Sequence, residues 1–119
     1  MNIFRRNTAT PDLAALTPME FEILLSLAGG ARHGYAIIQD IGERSGGTVT
    51  VRPGTLYRAV ARLLEAGIIA EVDGDRGGDE RRRYYAITSE GRRLADVEAR
   101  RLERQVVTAR ARRLMKAAR

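Results

Sequence analysis

Several residue types are absent or rare in this sequence, and each absence narrows what the chain can do. It contains no cysteine and no tryptophan, and it has one histidine, two phenylalanines and three prolines in 119 residues. Without cysteine, neither a disulfide framework nor a thiolate metal site can form. With so few large aromatic side chains, no aromatic-lined pocket for a small molecule is visible. Any small-molecule effector therefore stays unidentified.

The same scarcity argues against an enzyme. The chain offers one histidine, no paired carboxylates on a predicted common face, and no glycine loop that would cradle a phosphate. His33 precedes Gly34 at a predicted helix start, where a structural role is favoured over metal binding. We therefore expect no catalytic residue, no bound metal and no cofactor.

Long apolar runs are also missing. No stretch approaches the roughly 18 apolar residues of a membrane span. The first residues, MNIFRRNTATPD, lack the apolar core of a signal peptide. We expect a cytoplasmic protein without a membrane partner, in which one compact domain carries an appended element.

The net charge of +6 is unevenly distributed. Residues 1–90 carry 11 basic and 12 acidic side chains, whereas residues 91–119 carry 10 and 3. Net charge alone therefore does not indicate a nucleic-acid partner, and what matters is whether arginines gather on one surface. Adsorption of the Arg-rich tail to an acidic membrane is an alternative. Its weak apolar side, mostly alanine, argues against that idea.

Residues 17–51 have the pattern of two short helices and a brief extended segment. Thr17, Pro18 and Glu20 supply a cap, a first-turn proline and a capping-box glutamate. A second helix is predicted from about Gly34 to Arg44, and the alternating β-branched residues at 48–51 indicate a very short strand. The predicted apolar stripe of the first helix is Phe21, Leu24, Leu25 and Ala28.

The stretch Pro53 to Ile69 is predicted to form a third helix that leads into a strand. At the helical period, an arc of roughly 100° collects the apolar residues Leu56, Val60, Leu63 and Leu64. Arg58 and Arg62 fall on the opposite side, beside Thr55. Such a helix can rest on a small core and face a DNA groove.

An amphipathic surface helix with two solvated arginines is the alternative for this stretch. The exposed face of the third helix holds no acidic residue except Glu65, which favours DNA contact for its arginines. Tyr57 flanks the apolar arc. It is either a core tyrosine with its hydroxyl at the surface or a phosphate contact.

Two further segments, 68–72 and 82–87, alternate with period two and flank the glycine-rich sequence DGDRGGDE. Three helices followed by a β-hairpin predict a winged helix-turn-helix, in which the hairpin can approach a row of phosphates. The predicted fold class is therefore α+β, mainly α with a small β-hairpin.

A last helix, capped by Thr88 or Ser89, can run almost to Arg119. About two heptads of apolar residues along it are predicted to form a dimer contact, with help from Leu13 and Leu16. These residues, here called the seam, are Ala95, Ala99, Leu102, Val106 and Ala109. The alternative is that the seam covers the domain's own core. Leu94 and Val97 lie off the seam and are predicted to lock the helix onto the domain.

The predicted organisation is a flexible arm at 1–12, a winged helix-turn-helix at 13–88 and a dimerisation helix at 89–119. Three motifs carry a resemblance to a known family: HGYAI at 33–37, RPGTLYRAVARLLEAGII at 52–69 and RRYYAITSEGRRL at 82–94. In order and spacing they resemble the PadR family of bacterial transcriptional regulators. The length resembles the compact branch with a single C-terminal helix.

The resemblance implies a homodimeric repressor that binds near-palindromic, double-stranded promoter DNA. It places nine residues at DNA-facing positions: Tyr35, Gly54, Thr55, Tyr57, Arg58, Arg62, Arg81, Arg82 and Arg83. Two features depart from the family. Arg52 stands where a small helix-capping residue is common, and the tip of the wing carries Asp73, Asp75, Asp79 and Glu80 around Arg76.

Because acidic side chains repel phosphate, the base of the wing and not its tip is expected to approach DNA. The alternative function is a winged-helix module for protein–protein interaction without specific DNA binding. Binding that falls steeply with salt would favour nucleic acid over that alternative.

Overall fold

The structure is a computed structural model, and it describes residues 16–74 and 83–116 of the chain. Within these residues the chain forms helices and a small antiparallel sheet, the α+β class predicted from the sequence. The helices are α1 (Pro18–Leu27), α2 (Gly34–Arg44), α3 (Pro53–Glu65) and α4 (Ser89–Ala111). The strands are β1 (Arg32–His33), β2 (Ile69–Val72) and β3 (Tyr84–Ile87), in the order β1-β3-β2. The arm at 1–12, Leu13, Arg81, Arg82 and the wing tip at 75–80 lie outside the described residues.

The helix starts follow the sequence signals. Thr17 Oγ1 accepts from the Glu20 amide at 3.1 Å, and Glu20 Oε1 accepts from the Thr17 amide at 2.9 Å, which completes the predicted capping box. His33 caps α2, since its Nδ1 accepts from the Ala36 amide at 3.2 Å, and this agrees with the structural role expected for it. Arg52 occupies the N-cap position of α3, but its side chain makes no capping hydrogen bond.

The core lies where the first three helices meet the sheet and the start of α4. The apolar side of α3 buries Leu56, Val60 and Leu63 as predicted, while Leu64 is half-buried. The predicted stripe of α1 is partly wrong. This helix buries three apolar side chains in the core, Ile23, Leu24 and Leu27. The other apolar side of α1, with Phe21 and Leu25, turns toward α4 instead.

The strand predicted at residues 48–51 does not form, and the third strand of the sheet is β1. Arg32 and His33 pair with Tyr85 and Tyr84 of β3. A two-residue strand has no periodicity that a sequence pattern could reveal. From this loop Val51, only 5% exposed, packs into the core and Val49 packs against it, whereas Thr48 and Thr50 are exposed.

The segment TSEG at 88–91 fixes α4 to the sheet. Thr88 Oγ1 donates to the Gly67 carbonyl at 2.8 Å and accepts from the Gly91 amide at 3.1 Å. A Cβ at Gly91 would collide with the backbone oxygen of Ile68, so a glycine is required for this close approach. Leu94 is then buried as predicted.

Two expectations for α4 are wrong. Val97 is 45% exposed and does not lock α4 onto the domain, because it lies on the outer side of the helix. The helix also ends at Ala111, well before Arg119. Arg113 adopts a positive φ of 61°, and the Leu114 amide donates back to the Ala109 carbonyl, a common way for a helix to end. No helix among the described residues is long and apolar enough to cross a membrane.

Candidate nucleic-acid interface

The N-terminal half of α3 presents an exposed polar side. Gly54, Thr55, Tyr57 and Arg58 are all exposed, opposite the buried Leu56. Arg58 forms no hydrogen bond or ion pair with any residue that the structure describes. Its guanidinium extends back toward the helix start, since a Cβ at Gly54 would lie 3.9 Å from Arg58 Nη1. The Arg58 charge therefore lies beside the first turn of α3.

Tyr57 connects α3 to the start of α2. Its ring lies so close to Gly34 that a Cβ at Gly34 would collide with the Tyr57 hydroxyl. Tyr57 nevertheless remains 46% exposed. Part of its side chain therefore packs on the domain, and the rest is in solvent. Tyr35, the next residue of α2, is 60% exposed. The structure thus brings together five of the predicted residues, here called the α2–α3 face: Tyr35, Gly54, Thr55, Tyr57 and Arg58.

At the base of the wing, Arg83 directly precedes β3. Its side chain is 70% exposed, and its Nε lies 3.7 Å from Glu71 Oε2, a loose surface pair. The His33 and Tyr84 rings pack edge to face with centroids 5.3 Å apart, and this contact joins the wing to the start of α2. Burial, followed by the neighbouring Tyr57 and Glu71, raises the pKa of Tyr85, so this tyrosine stays a neutral anchor in β3.

Arg62 does not share the environment of Arg58. Arg62 Nη2 lies 2.5 Å from Glu20 Oε2, and the Glu20 side chain is only 4% exposed. The expectation that Glu65 is the one acidic residue available to the α3 arginines is therefore wrong. The reason is tertiary: packing of α1 against α3 brings Glu20 to the end of the exposed face. The predicted contact of Arg62 with DNA stays a prediction.

A second arginine-centred group, here called the Arg44 cluster, joins α1 to α2. It consists of Glu22, Ser26, Asp40 and Arg44. Arg44 donates to Asp40 Oδ2 at 2.8 Å, to Glu22 Oε1 at 2.9 Å and to Ser26 Oγ at 2.9 Å. Hydrogen bonds from Arg44, and then from Ser26, lower the pKa of Asp40.

Arg44 lies roughly 180° around α2 from Tyr35, so the Arg44 cluster is remote from the α2–α3 face. No local sequence pattern marks this cluster, because its members come from two different helices.

The seam on α4 divides into two environments. Ala95 and Ala99 line a cleft of about 240 Å³ together with Phe21, Leu25 and Ala28 of the α1 region. Ala95 packs against the core, whereas Ala99 is exposed at the cleft, so the chain's own domain covers this half of the seam only in part. Farther along α4, Leu102 and Ala109 are half-buried, and Val106 is 41% exposed. Leu16, which was expected to help the dimer contact together with Leu13, is buried in the chain's own core. Dimerisation stays a prediction.

The chain is similar in sequence and in fold to several known proteins. An uncharacterised protein from Lysinibacillus sphaericus is 36% identical over 61 residues, which span 51% of this chain and 56% of that protein. The chain therefore matches only about half the length of this curated relative. A transcriptional regulator from Clostridium thermocellum has a similar structure, with a TM-score of 0.66 and 28% identity, and the match covers 82% of this chain and 90% of that one.

The fold is also similar to that of Bacillus subtilis PadR in complex with operator DNA. That match has a TM-score of 0.59 and 21% identity, and it covers 67% of this chain and 45% of that chain. The profile of the transcriptional regulator PadR-like family matches residues 23–96, which is more than half of the chain. Members of this family are DNA-binding transcription regulators and not enzymes. With its winged helix-turn-helix and these sequence matches, the chain belongs to the PadR-like family of transcriptional regulators.

Proposed function

We propose that this protein is a homodimeric repressor that binds near-palindromic promoter DNA through the α2–α3 face. The observation that carries the proposal is Arg58, an exposed arginine near the start of α3 without an ion pair to any described residue. The N-terminal part of a recognition helix normally meets base edges, and an unpaired arginine there can donate two hydrogen bonds to guanine. Arg58 is therefore assigned to base reading.

The remaining residues of the α2–α3 face are assigned to positioning the protein on DNA. The Tyr57 hydroxyl lies beside Gly34 at the start of α2, and the Tyr35 hydroxyl lies 3.4 Å from Gln39 Nε2. Both hydroxyls can donate to phosphate oxygens. Thr55 and Gly54 lie in the first turn of α3, where a small residue and a hydroxyl permit close approach of the backbone. Arg83, with Arg81 and Arg82, provides positive charge at the base of the wing.

The homodimer is proposed to form around α4 and the cleft that α4 makes with α1. Beyond Ala99 the helix carries Leu102 and Val106, which are not part of the buried core. In a two-fold contact, both subunits use the same surface patch. Leu102 and Val106 would therefore contact the same residues of the other subunit, or the cleft of that subunit. Such a dimer presents two copies of α3, which matches a near-palindromic site with one half-site for each subunit.

Retention of genomic DNA tests the DNA-binding part of this proposal. The purified protein is mixed with fragments of its own genome, and the retained fragments are sequenced. We expect enrichment of fragments that share a near-palindrome, and affinity that falls steeply with salt because phosphate contacts release counterions. Protein that retains no fragment selectively would favour the alternative, a protein-interaction module.

A reporter gene tests repression. When it is placed behind a retained promoter, it should be expressed less when the protein is present.

Light scattering tests the dimer. Replacing Leu102 and Val106 with glutamate would place like charges across a two-fold contact, and we expect the double variant to be a monomer. Val107→Glu is the matched control, because Val107 is 59% exposed and lies off the seam. That control should stay dimeric. A double variant that stays dimeric with unchanged stability would show that the seam is wrongly placed.

A further inference from the structure

Glu20 is a buried carboxylate with both oxygens engaged. Oε1 accepts from the Thr17 amide at 2.9 Å, and Oε2 lies 2.5 Å from Arg62 Nη2. The residue as a whole is 3% exposed. Burying a carboxylate is costly unless it is paired and hydrogen-bonded, so the domain depends on both partners to keep this charge inside. The ion pair joins the first turn of α1 to the last turns of α3.

Arg62 differs from Arg58 in the direction of its side chain. Arg58 extends toward Gly54 at the start of α3 and has no ion pair among the described residues, whereas Arg62 reaches α1. Glu20 engages Arg62 Nη2, while the Arg62 side chain as a whole is 61% exposed, so a phosphate could draw this nitrogen toward DNA only by breaking the pair. That would abandon a carboxylate that is almost wholly buried, which is strongly unfavourable.

We propose that Arg62 is a positioning residue, which holds α3 against α1 through Glu20 and does not itself contact DNA. The proposal rests on the proposed function, in which α3 reads the operator. A binding surface retains its geometry only if supporting contacts lock the element that carries it. The Glu20–Arg62 pair is a contact of that kind, because it ties α3 to a neighbouring helix on the side that faces away from the buried Leu56, Val60 and Leu63.

Two variants distinguish positioning from DNA contact by the direction of the effect. Glu20→Gln removes the charge but keeps an oxygen that can accept from Thr17, so the capping box is retained. If Arg62 acts through Glu20, Glu20→Gln and Arg62→Met should each weaken operator binding by about tenfold. The double variant should be no weaker than either single one. The slope of log affinity against log salt should equal that of the wild type, since no phosphate contact is lost.

A phosphate contact predicts the opposite outcome. Glu20→Gln would then release Arg62 toward DNA and leave affinity unchanged or increased, while Arg62→Met would reduce the magnitude of the salt slope by about 0.9. Either result would overturn the proposal. If Glu20→Gln did not fold, the salt slope of Arg62→Met would decide the question alone. Wild-type protein that retains no operator would instead overturn the proposed function, and this proposal with it.

Discussion

Arg44 and Arg58 lie on consecutive helices, yet their surroundings are opposite. Arg44 donates to two carboxylates and one hydroxyl between α1 and α2. Arg58 has no ion pair among the described residues and projects from the exposed side of α3. Burial opposes the charge of Arg44, but its hydrogen bonds to Asp40 and Glu22 outweigh that effect and raise its pKa. Arg44 makes its contacts within the domain, whereas the hydrogen-bond donors of Arg58 remain available to a partner.

This comparison shows that the role of an arginine in this domain depends on what packs beside it. A guanidinium surrounded by acceptors contributes to the free energy of folding. A guanidinium without acceptors contributes little to folding, and its hydrogen-bonding capacity remains for a ligand. The same substitution should therefore have different consequences at the two positions, and each prediction below tests one part of that difference.

The largest expected effect is on stability. Arg44→Met removes charge-assisted hydrogen bonds to Asp40 and Glu22. Because the Arg44 side chain is 35% exposed and solvent screens part of each bond, we expect the free energy of unfolding to fall by about 2 kcal/mol. Arg58→Met makes the same chemical change on α3 and should cost less than about 0.5 kcal/mol. Urea unfolding at a fixed protein concentration measures both. Equal losses for the two variants would contradict the division between them.

The second effect is on sequence specificity. Arg58→Ala should relax the preference for one base pair at a symmetric position in each half-site, a loss of about 1–3 kcal/mol of discrimination. A panel of operator variants measures this preference. The fold should remain intact, because Arg58 lies opposite the buried side of α3. A uniform loss of affinity across the panel would instead make Arg58 a phosphate contact, and base reading would have to be assigned to another residue.

The third effect concerns the wing. Replacing Arg81, Arg82 and Arg83 with alanine should weaken binding to all duplexes about equally. Each lost phosphate contact should reduce the magnitude of the salt slope by about 0.9. Arg93→Ala is the control: it removes a positive charge from α4 that already pairs with Glu90, and the slope should not change. A change in sequence preference without a change in slope would contradict the assignment of these arginines to phosphate.

The smallest effect is on the pH dependence of stability. The pKa of Asp40 in the folded protein lies below its ordinary value, so its charge stabilises the fold above the unfolded pKa of about 4. This stabilisation is lost as the pH falls through the lower, folded value. The deficit of Asp40→Asn relative to the wild type should thus be complete at neutral pH and shrink below about pH 4.

Asp96→Asn is the control for this measurement, because the Asp96 side chain is 59% exposed and its pair with Arg100 lies on the surface of α4. It should cost less than about 0.5 kcal/mol at neutral pH. A deficit of Asp40→Asn that stayed constant down to pH 3 would mean that the charge of Asp40 contributes little to the Arg44 cluster.

Sequence patterns were sufficient wherever structure is local. The capping box at Thr17 and Glu20, the whole of α2 and the buried side of α3 follow from residues within one or two helical turns of each other. The three motifs at 33–37, 52–69 and 82–94 likewise predicted the family, because they lie in the parts of the chain that form the α2–α3 face and the wing. Four of the five residues of that face are also close in sequence, which is why they could be identified together.

Only the tertiary structure decided how distant residues are paired. The strand β1 exists because β3 lies beside it, and two residues carry no periodic signal of their own. Glu20 meets Arg62, and Glu22 meets Arg44, because α1 packs across both later helices. The sequence by itself determined which side chains could carry charge and which helices would form. Whether a given arginine is paired or free depends on which carboxylate the packing of the core brings within a few ångströms of it, and that distance is not encoded in any local pattern.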